Sequence, residues 1–349
     1  MERLLKQFGG KISKADLEKY QNSPQWSNGK FQNSEETTMN ISFKDVPHLL
    51  HKQIFDKEHR MPALPIAIEG FEKPRFTDES DEAKLIWYGH SVVLMRLMGK
   101  TLLIDPMLGD NASPIAPFAT KRFSEGSLEL IEQFPQIDLV LLTHDHYDHL
   151  DLASIEKLKG KTRQFFVALG VKRHLVAWGI SPEKITEFDW WEEKSFEDIQ
   201  ITFTPTRHFS GRGLTDRAKS LWGGWVFKTN KENIYFSGDG GYGKHFKEVG
   251  EKLGPFDFGL MECGQYNEKW HLIHMFPEEA IKAAQDAKVK KAMAVHWAGF
   301  ALALHTWKDP IERFVNEAEK KKASIITPKI GEMFTLQDNS FEQWWQTLE

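Results

Sequence analysis

The stretch Thr143-His144-Asp145-His146-Tyr147-Asp148-His149-Leu150 decides how this chain reads. It lies where an apolar run, Ile137 to Leu142, gives way to a helical pattern, Leu152 to Leu158. Residues two apart at the end of an extended run point to the same side, so His144 and His146 can grip one ion together. Asp148 and His149 fall in the turn that follows and face a neighbouring position. Imidazoles and a carboxylate crowded this closely are costly to gather unless something binds them. Nitrogen and oxygen donors of this kind suit zinc. The plain alternative is a solvated polar loop, but 14 histidines in 349 residues rarely fall into such a spacing by chance.

Three further donors each follow an apolar run. His208 comes after Ile201 to Phe203, Asp239 after Ile234 to Phe236, and His296 after Ala292 to Val295. Singly, each has an ordinary explanation. A lone histidine is usually structural, and an aspartate between glycines is a turn former. Their shared relation to a strand is what counts. Donors at the C-terminal ends of strands converge on one sheet edge and join the first motif as candidate ligands.

The rest of the chain supplies such a scaffold. Leu85 to Tyr88, Val92 to Leu97 and Thr101 to Ile104, with a turn at Met98-Gly99-Lys100, read as an antiparallel meander. Strands and helices then alternate. Strands are expected at Gln164 to Ala168, Gln200 to Thr204, Gly224 to Lys228, Asn233 to Ser237, Phe258 to Glu262, Ala292 to Val295 and Ser324 to Thr327. Helices are expected at Val171 to Trp178, Phe246 to Leu253, Pro277 to Ala287 and Pro310 to Lys320. This order predicts an α/β fold of two sheets sandwiched between helices. Residues 84–349 read as one catalytic domain and 1–83 as an N-terminal arm packing on it. Within the arm, 1–20 suggests one short amphipathic helix, 21–40 an irregular polar segment, and 46–57 a further helix.

Composition narrows the function classes. Hydrophobic residues are 40% and charged residues 27%, an ordinary globular balance. A net charge of -5 gives no overall pull toward nucleic acid. A single cysteine, Cys263, forms no internal disulfide and reads as a small core residue. The first twenty residues lack the apolar core of a signal peptide. No stretch reaches the ~18 apolar residues of a membrane span. A cytoplasmic location is expected. Trp190-Trp191 and Trp344-Trp345 are of the type that favours a bilayer interface, which would add peripheral contact at the inner membrane face; core packing explains them equally. A homo-oligomer is compatible with this composition.

The set His144, His146, Asp148, His149, His208, Asp239 and His296 resembles the full ligand set of the metallo-β-lactamase superfamily, over roughly residues 84–335. The resemblance implies an αββα sandwich, two mixed β-sheets flanked by helices, with the site at one edge. It implies two divalent ions, zinc, with manganese or iron fitting the same donors. His144, His146 and His208 would hold one ion, Asp148, His149 and His296 the other, and Asp239 would bridge them. Shorter motifs in order, among them Trp87-Tyr88-Gly89-His90, Ile104-Asp105-Pro106, Lys121-Arg122-Phe123, Asp189-Trp190-Trp191-Glu192 and Pro277-Glu278-Glu279-Ala280, resemble the branch that contains N-acyl-phosphatidylethanolamine-hydrolysing phospholipase D. His274 matches a histidine near the substrate phosphate in that branch. Three departures fall near the expected cleft. Ala116-Pro117 replaces a Gln-Tyr pair, Tyr266 to His274 is two residues shorter, and Gly240 replaces a threonine.

The implied chemistry is hydrolysis of a phosphodiester, including a phospholipid of the N-acyl-phosphatidylethanolamine type. Two ions sharing a water would lower its pKa toward neutrality and yield a bridging hydroxide as nucleophile. Asp148 would orient it and move its proton, and His274 would donate to the developing charge. His90, Lys121 and Arg207 are candidate substrate contacts; a buried structural histidine and solvated surface charges are the plain alternatives. The expected partner is a small-molecule or lipid ester and no nucleic acid. The competing readings are a metal-dependent lactonase or other ester hydrolase, and a metal-binding scaffold without turnover.

Overall fold

The apolar runs of this chain barely alternate with polar residues, the pattern of strands covered on both faces. The computed structural model describes residues 2–40, 44–55, 59–113, 120–213, 215–339 and 342–348. Ala116-Pro117 lies outside the described residues. One seven-stranded sheet has the spatial order Met333–Thr335, Lys84–Trp87, Val93–Leu97, Lys100–Ile104, Ile137–Leu142, Thr162–Ala168, Ile185–Phe188. Its first four strands are antiparallel and the rest parallel. The second seven-stranded sheet runs Ser324–Ile325, Lys291–Val295, Phe258–Glu262, Asn233–Phe236, Gly224–Lys228, Ile199–Thr204, Glu193–Phe196, parallel at first and then antiparallel.

Aromatic side chains join the sheets face to face. Phe188 meets Trp225 at 5.2 Å, and Phe258 meets Phe334 at 5.8 Å. Helices cover the outer faces; Pro277–Asp286 packs on Phe258–Glu262 and Lys291–Val295. The αββα sandwich expected from the sequence is the fold observed.

Strand register brings the donors together. Ile104 pairs with Leu141 in parallel, so Asp105 and Thr143 emerge side by side. Phe236 pairs with Leu260, and Glu262 with Val295, which sends Asp239 and His296 to the same end. Ile199–Thr204 is two antiparallel pairings away from Asn233–Phe236 and so runs the same way, carrying His208 there too. The backbone of His90 exchanges hydrogen bonds with His296 and Trp297 at 2.8 Å each, tying the first sheet to the second beside this edge.

Several expectations need correcting. Residues 1–20 hold two helices, Glu2–Gln7 and Lys14–Tyr20, because Gly9-Gly10 interrupts the pattern. Ser13 caps the second with a reciprocal bond to Asp16. The segment 21–40 contains a tight hairpin, Trp26–Ser27 with Lys30–Phe31. Asn28 and Gly29 at its turn have φ of 52° and 70°, which Asn-Gly accommodates. Short strands at Ile185–Phe188, Glu193–Phe196 and Met333–Thr335 were not anticipated, being too short to show a pattern. Three of the four paired tryptophans, Trp190, Trp344 and Trp345, are buried, and Trp191 is half-buried beneath Lys252. Trp190 is buried and its indole N–H donates to the Trp222 carbonyl at 2.6 Å. Trp344 and Trp345 are buried against Trp297. Trp190, Trp344 and Trp345 belong to the core, the packing explanation given for them above. Among the described residues no helix is long and apolar enough to cross a membrane.

Candidate metal centre

The turn after Ile137–Leu142 is pinned before its histidines begin. The Thr143 N–H donates to Asp105 Oδ1 at 2.8 Å and the Thr143 hydroxyl to Asp105 Oδ2 at 2.6 Å. Asp105, His90 and His296 all have left-handed backbone, with φ of 42°, 53° and 68°. Such conformations in non-glycine residues cost about 1–3 kcal/mol each and gather where a site constrains the chain.

Ring nitrogens converge there. His144 Nε2 lies 2.9 Å from His146 Nδ1, and His208 Nε2 lies 3.2 Å from the same atom. Asp239 Oδ2 is 3.0 Å from His149 Nε2 and 4.0 Å from both His144 Nε2 and His208 Nε2. Asp239 Oδ1 is 3.2 Å from His296 Nδ1. Asp148 Oδ2 is 3.5 Å from His149 Nε2 and 4.0 Å from His296 Nε2. Two donor clusters therefore lie side by side, with Asp239 touching both.

The tautomers can be worked out from the neighbours. The Thr143 hydroxyl gives its proton to Asp105, so its oxygen accepts from His144 Nδ1 at 2.9 Å and leaves Nε2 bare. Asp105 Oδ2 also accepts from His149 Nδ1 at 2.8 Å, baring Nε2 there. The Ile273 carbonyl accepts from His208 Nδ1 at 2.9 Å, with the same result. Bare lone pairs facing one another in a buried space repel unless a cation lies among them. His296 Nε2 is buried with no hydrogen-bond partner among the described residues, which is costly unless a ligand takes it. The donors present thus fit two divalent cations.

Protonation agrees with this at His144, His208 and His296, while His149 would give up a proton on binding metal. Burial holds His144, His208 and His296 well below the usual imidazole pKa, keeping them neutral as metal binding requires. Burial raises Asp239 to about 6. At His149 burial pulls the pKa down, but Asp239, Asp148 and Asp105 outweigh it and raise it well above the ordinary value.

All seven residues expected as ligands come together at this edge. His274 joins them. It stacks on His296 at 5.2 Å and 9° and meets His208 edge-on at 5.0 Å. The other expected contacts are placed elsewhere. His90 is 0% exposed, so it cannot touch substrate; its Nε2 bonds Asp148 Oδ2 at 2.8 Å, and burial lowers its pKa to about 4. Arg207 turns away to the arm, donating to Thr37 Oγ1 and the Glu36 carbonyl. Lys121 pairs with Glu125 at the exposed surface.

The sequence reading missed the residues that hold the ligands. Asp105 was visible only as part of a short motif. Glu262 ends a wholly apolar-looking strand; its Oε1 lies 3.0 Å from His274 Nδ1, and Oε2 accepts the Met275 N–H at 3.1 Å. A glutamate at a strand end in line with the other donors was the available signal. Gly240, where the related branch has threonine, sits 3.1 Å, measured from a Cβ built there, from the Arg207 backbone nitrogen. A larger residue would press on the His208 loop.

Asp105→Ala is expected to weaken metal binding by about 10–100-fold, the usual cost of losing a residue that orients a ligand. The check is competition with a chromophoric chelator. Unchanged affinity would refute the role given to Asp105.

Comparison with known proteins agrees. A family model described as a β-lactamase superfamily domain matches residues 100–297. The chain is 34% identical over 316 residues to an uncharacterised protein of Mycobacterium tuberculosis, covering 89% of this chain and 84% of that one. It is 31% identical over 269 residues to N-acyl-phosphatidylethanolamine-hydrolyzing phospholipase D 1 of Caenorhabditis elegans, covering 72% and 75%. The solved structure of Igni18, a metallo hydrolase from Ignicoccus hospitalis, shares the fold, with a TM-score of 0.56 at 21% identity over 72% of this chain and 97% of that one. With this fold, these relatives and this donor set, the chain belongs to the metallo-β-lactamase superfamily and is a metal-dependent hydrolase.

Proposed function

We propose that the protein hydrolyses a phosphodiester at two zinc ions, and that its substrates are phospholipids of the N-acyl-phosphatidylethanolamine type. The observation that carries this reading is a pair of groups suited to anions at the cleft. One is His274. It lines a cavity of about 220 Å³ together with Asp148, Asp239 and His296. Burial, with Asp239 nearby, raises Glu262 well above the usual carboxyl pKa, so it stays protonated and donates to His274 Nδ1, which leaves the single proton of the neutral ring on Nε2 for the substrate. The other is Arg217. Its guanidinium lies 3.8 Å from the centre of the Phe209 ring and has no carboxylate partner among the described residues. Phe209 in turn meets His146 edge-on at 4.6 Å. Arg217 lines a second cavity, of about 430 Å³, that shares Met39, Phe209 and Ile273 with the first. A cation left uncompensated beside a site for two dications suits an anionic substrate; a neutral lactone would not use it. The name of the Caenorhabditis elegans relative supports the same class.

Bound at this edge, two divalent ions would acidify a shared water and polarise the phosphoryl oxygens. The chain's own groups do the rest. His144, His146 and His208 would hold one ion, Asp148, His149 and His296 the other, with Asp239 between. Asp148, steadied by His90, orients the attacking water and takes its proton. His274 donates from Nε2 to the charge that develops on phosphorus-bound oxygen. Arg217 holds the anionic group and positions the ester.

The test is product analysis with zinc-loaded protein and vesicles containing N-acyl-phosphatidylethanolamine. Chelator-sensitive release of phosphatidic acid and N-acylethanolamine is expected. Arg217→Ala should raise KM about tenfold, a loss of about 1.4 kcal/mol, and leave hydrolysis of a neutral ester unchanged. Turnover of a neutral lactone but of no phosphodiester, by protein shown to hold its metals, would overturn the reading.

A further inference from the structure

We propose that the N-terminal arm is a working part of the metal centre: Asn33 and the Gly9-Gly10 turn brace the two loops that carry His144, His146 and His208, and so maintain one of the two metal positions. The inference rests on the assignment of those residues as ligands.

Asn33 grips the ligand His208 directly. Its Oδ1 accepts the His208 N–H at 3.0 Å, and its Nδ2 donates to the His208 carbonyl at 2.8 Å. The same Oδ1 accepts from Trp222 Nε1 at 3.1 Å, which fixes the amide's orientation. A side-chain amide paired both ways with one backbone residue sets that residue's position and rotation. Nearby, the Phe31 N–H bonds the Ala218 carbonyl at 2.9 Å and its ring is buried, so Asn33 is delivered by an anchored strand.

The second brace acts on the His144–His146 loop through two residues. The Gly10 N–H donates to His174 Nδ1 at 3.2 Å. His174 must therefore carry its proton on Nε2, and it donates that proton to Asp145 Oδ2 at 3.1 Å. Asp145 stands between the two ligands in the chain. Arg212 makes a parallel link. Its Nε and one terminal nitrogen donate to the Gln7 carbonyl at 3.0 and 2.8 Å, and its other terminal nitrogen donates to the carbonyls of Asp145 and Leu150, each at 2.7 Å. Only glycine permits this approach. A Cβ at Gly9 would stand 1.9 Å from His174 Nδ1, and one at Gly10 would stand 2.1 Å from the Arg173 carbonyl oxygen. Gly9 also has φ of 77°.

The other donor cluster is held differently. His149 leans on Asp105, His296 on Ser91 at 3.1 Å, and Asp148 on His90. All of these are core residues of the first sheet or its loops. The arm thus acts selectively on the three-histidine position.

The experiment counts ions on the full-length chain. Metal-free protein is reloaded with zinc and titrated with a chelator, and retained zinc is measured by mass spectrometry, with circular dichroism to confirm folding. Wild type should hold two ions. Asn33→Ala should lose one of them at about 10–100-fold lower chelator concentration and keep the other. Asn33→Asp keeps the acceptor oxygen and loses the donor, so it should fall between. Gly10→Val should reproduce the selective loss from the other brace. Glu35→Ala is the control within the arm: its carboxylate accepts the Lys244 N–H at 2.9 Å and, among the described residues, bonds neither loop, so both ions should stay. Two ions at wild-type affinity in folded Asn33→Ala would overturn the proposal. So would loss of both ions in step with unfolding, or an equal effect of Glu35→Ala, because the arm would then serve only the fold. Fewer than two ions in wild type would remove the ligand assignment itself, and the brace with it.

Discussion

Asp239→Ala is expected to lose bound metal and hydrolysis together, while the protein stays folded. Among the described residues, Asp239 is the carboxylate placed within 4.0 Å of nitrogens from both clusters: His149, His144 and His208 at Oδ2, and His296 at Oδ1. Removing it deletes the negative charge shared between two adjacent dication positions. Each ion then feels the other's repulsion in a buried, poorly screened space. Activity should fall by at least about 10³-fold, equivalent to about 4 kcal/mol of transition-state stabilisation. His146→Ala should act similarly, since His146 Nδ1 is the atom on which the other two histidines of its cluster converge. Metal content by mass spectrometry and turnover are measured on the same preparation. Full activity with both ions retained in either variant would defeat the assignment.

Asp145→Ala should lower the stability of the fold itself, beyond any loosening of the metal position that Asp145 helps to brace. Asp145 lies between His144 and His146 but points away from them. Its carboxylate accepts from His174 Nε2, from the Ser220 hydroxyl at 2.6 Å and from the Gly211 N–H at 2.7 Å, and it lies 3.6 Å from the Arg173 guanidinium. It is fully buried. Burial alone would raise its pKa, but His174 and Arg173 outweigh burial and hold it well below the carboxylate range. Truncation removes the buried counter-charge of Arg173, which keeps its bonds to the Lys219 carbonyl and Ser220 Oγ, and leaves the His174 and Gly211 donors without an acceptor, at a cost of about 3–5 kcal/mol. A drop of about 4–7 °C in Tm is expected. Thermal melts of metal-free protein isolate this effect from ligand binding. An unchanged Tm would mean that the network contributes little, and that Asp145 is tolerated there without stabilising the loop.

The contrast between these two aspartates shows where sequence reading stops. Asp239 was legible because it follows an apolar run, as do His208 and His296, and strand ends in a sandwich share an edge. Asp145 sits inside the most informative motif of the chain, yet nothing local tells that it faces His174. His90 was read as a substrate contact because it follows a strand. The structure buries it under Asp148, where it steadies a ligand. Arg207 and Lys121 were chosen for charge alone, and charge does not reveal which cations are already engaged. Arg217, which stacks on Phe209 and lacks a carboxylate partner among the described residues, sits in a loop with no distinguishing pattern.

What the sequence determined by itself were the local things. Apolar runs specified the strands, their alternation with helices specified the sandwich, and the spacing of His144, His146, Asp148 and His149 specified a metal-binding turn. These follow from side-chain periodicity and donor chemistry, which act over a few residues. Only the tertiary structure decided the partners. Asn33 meets His208 across 175 residues, and Asp105 meets His149 across 44. It also decided which tryptophans are core and which nitrogen of each histidine is bare. Those outcomes depend on which backbone and side-chain groups the packed sheets bring into contact, and a buried polar group is satisfied by whatever lies nearest in space rather than in sequence.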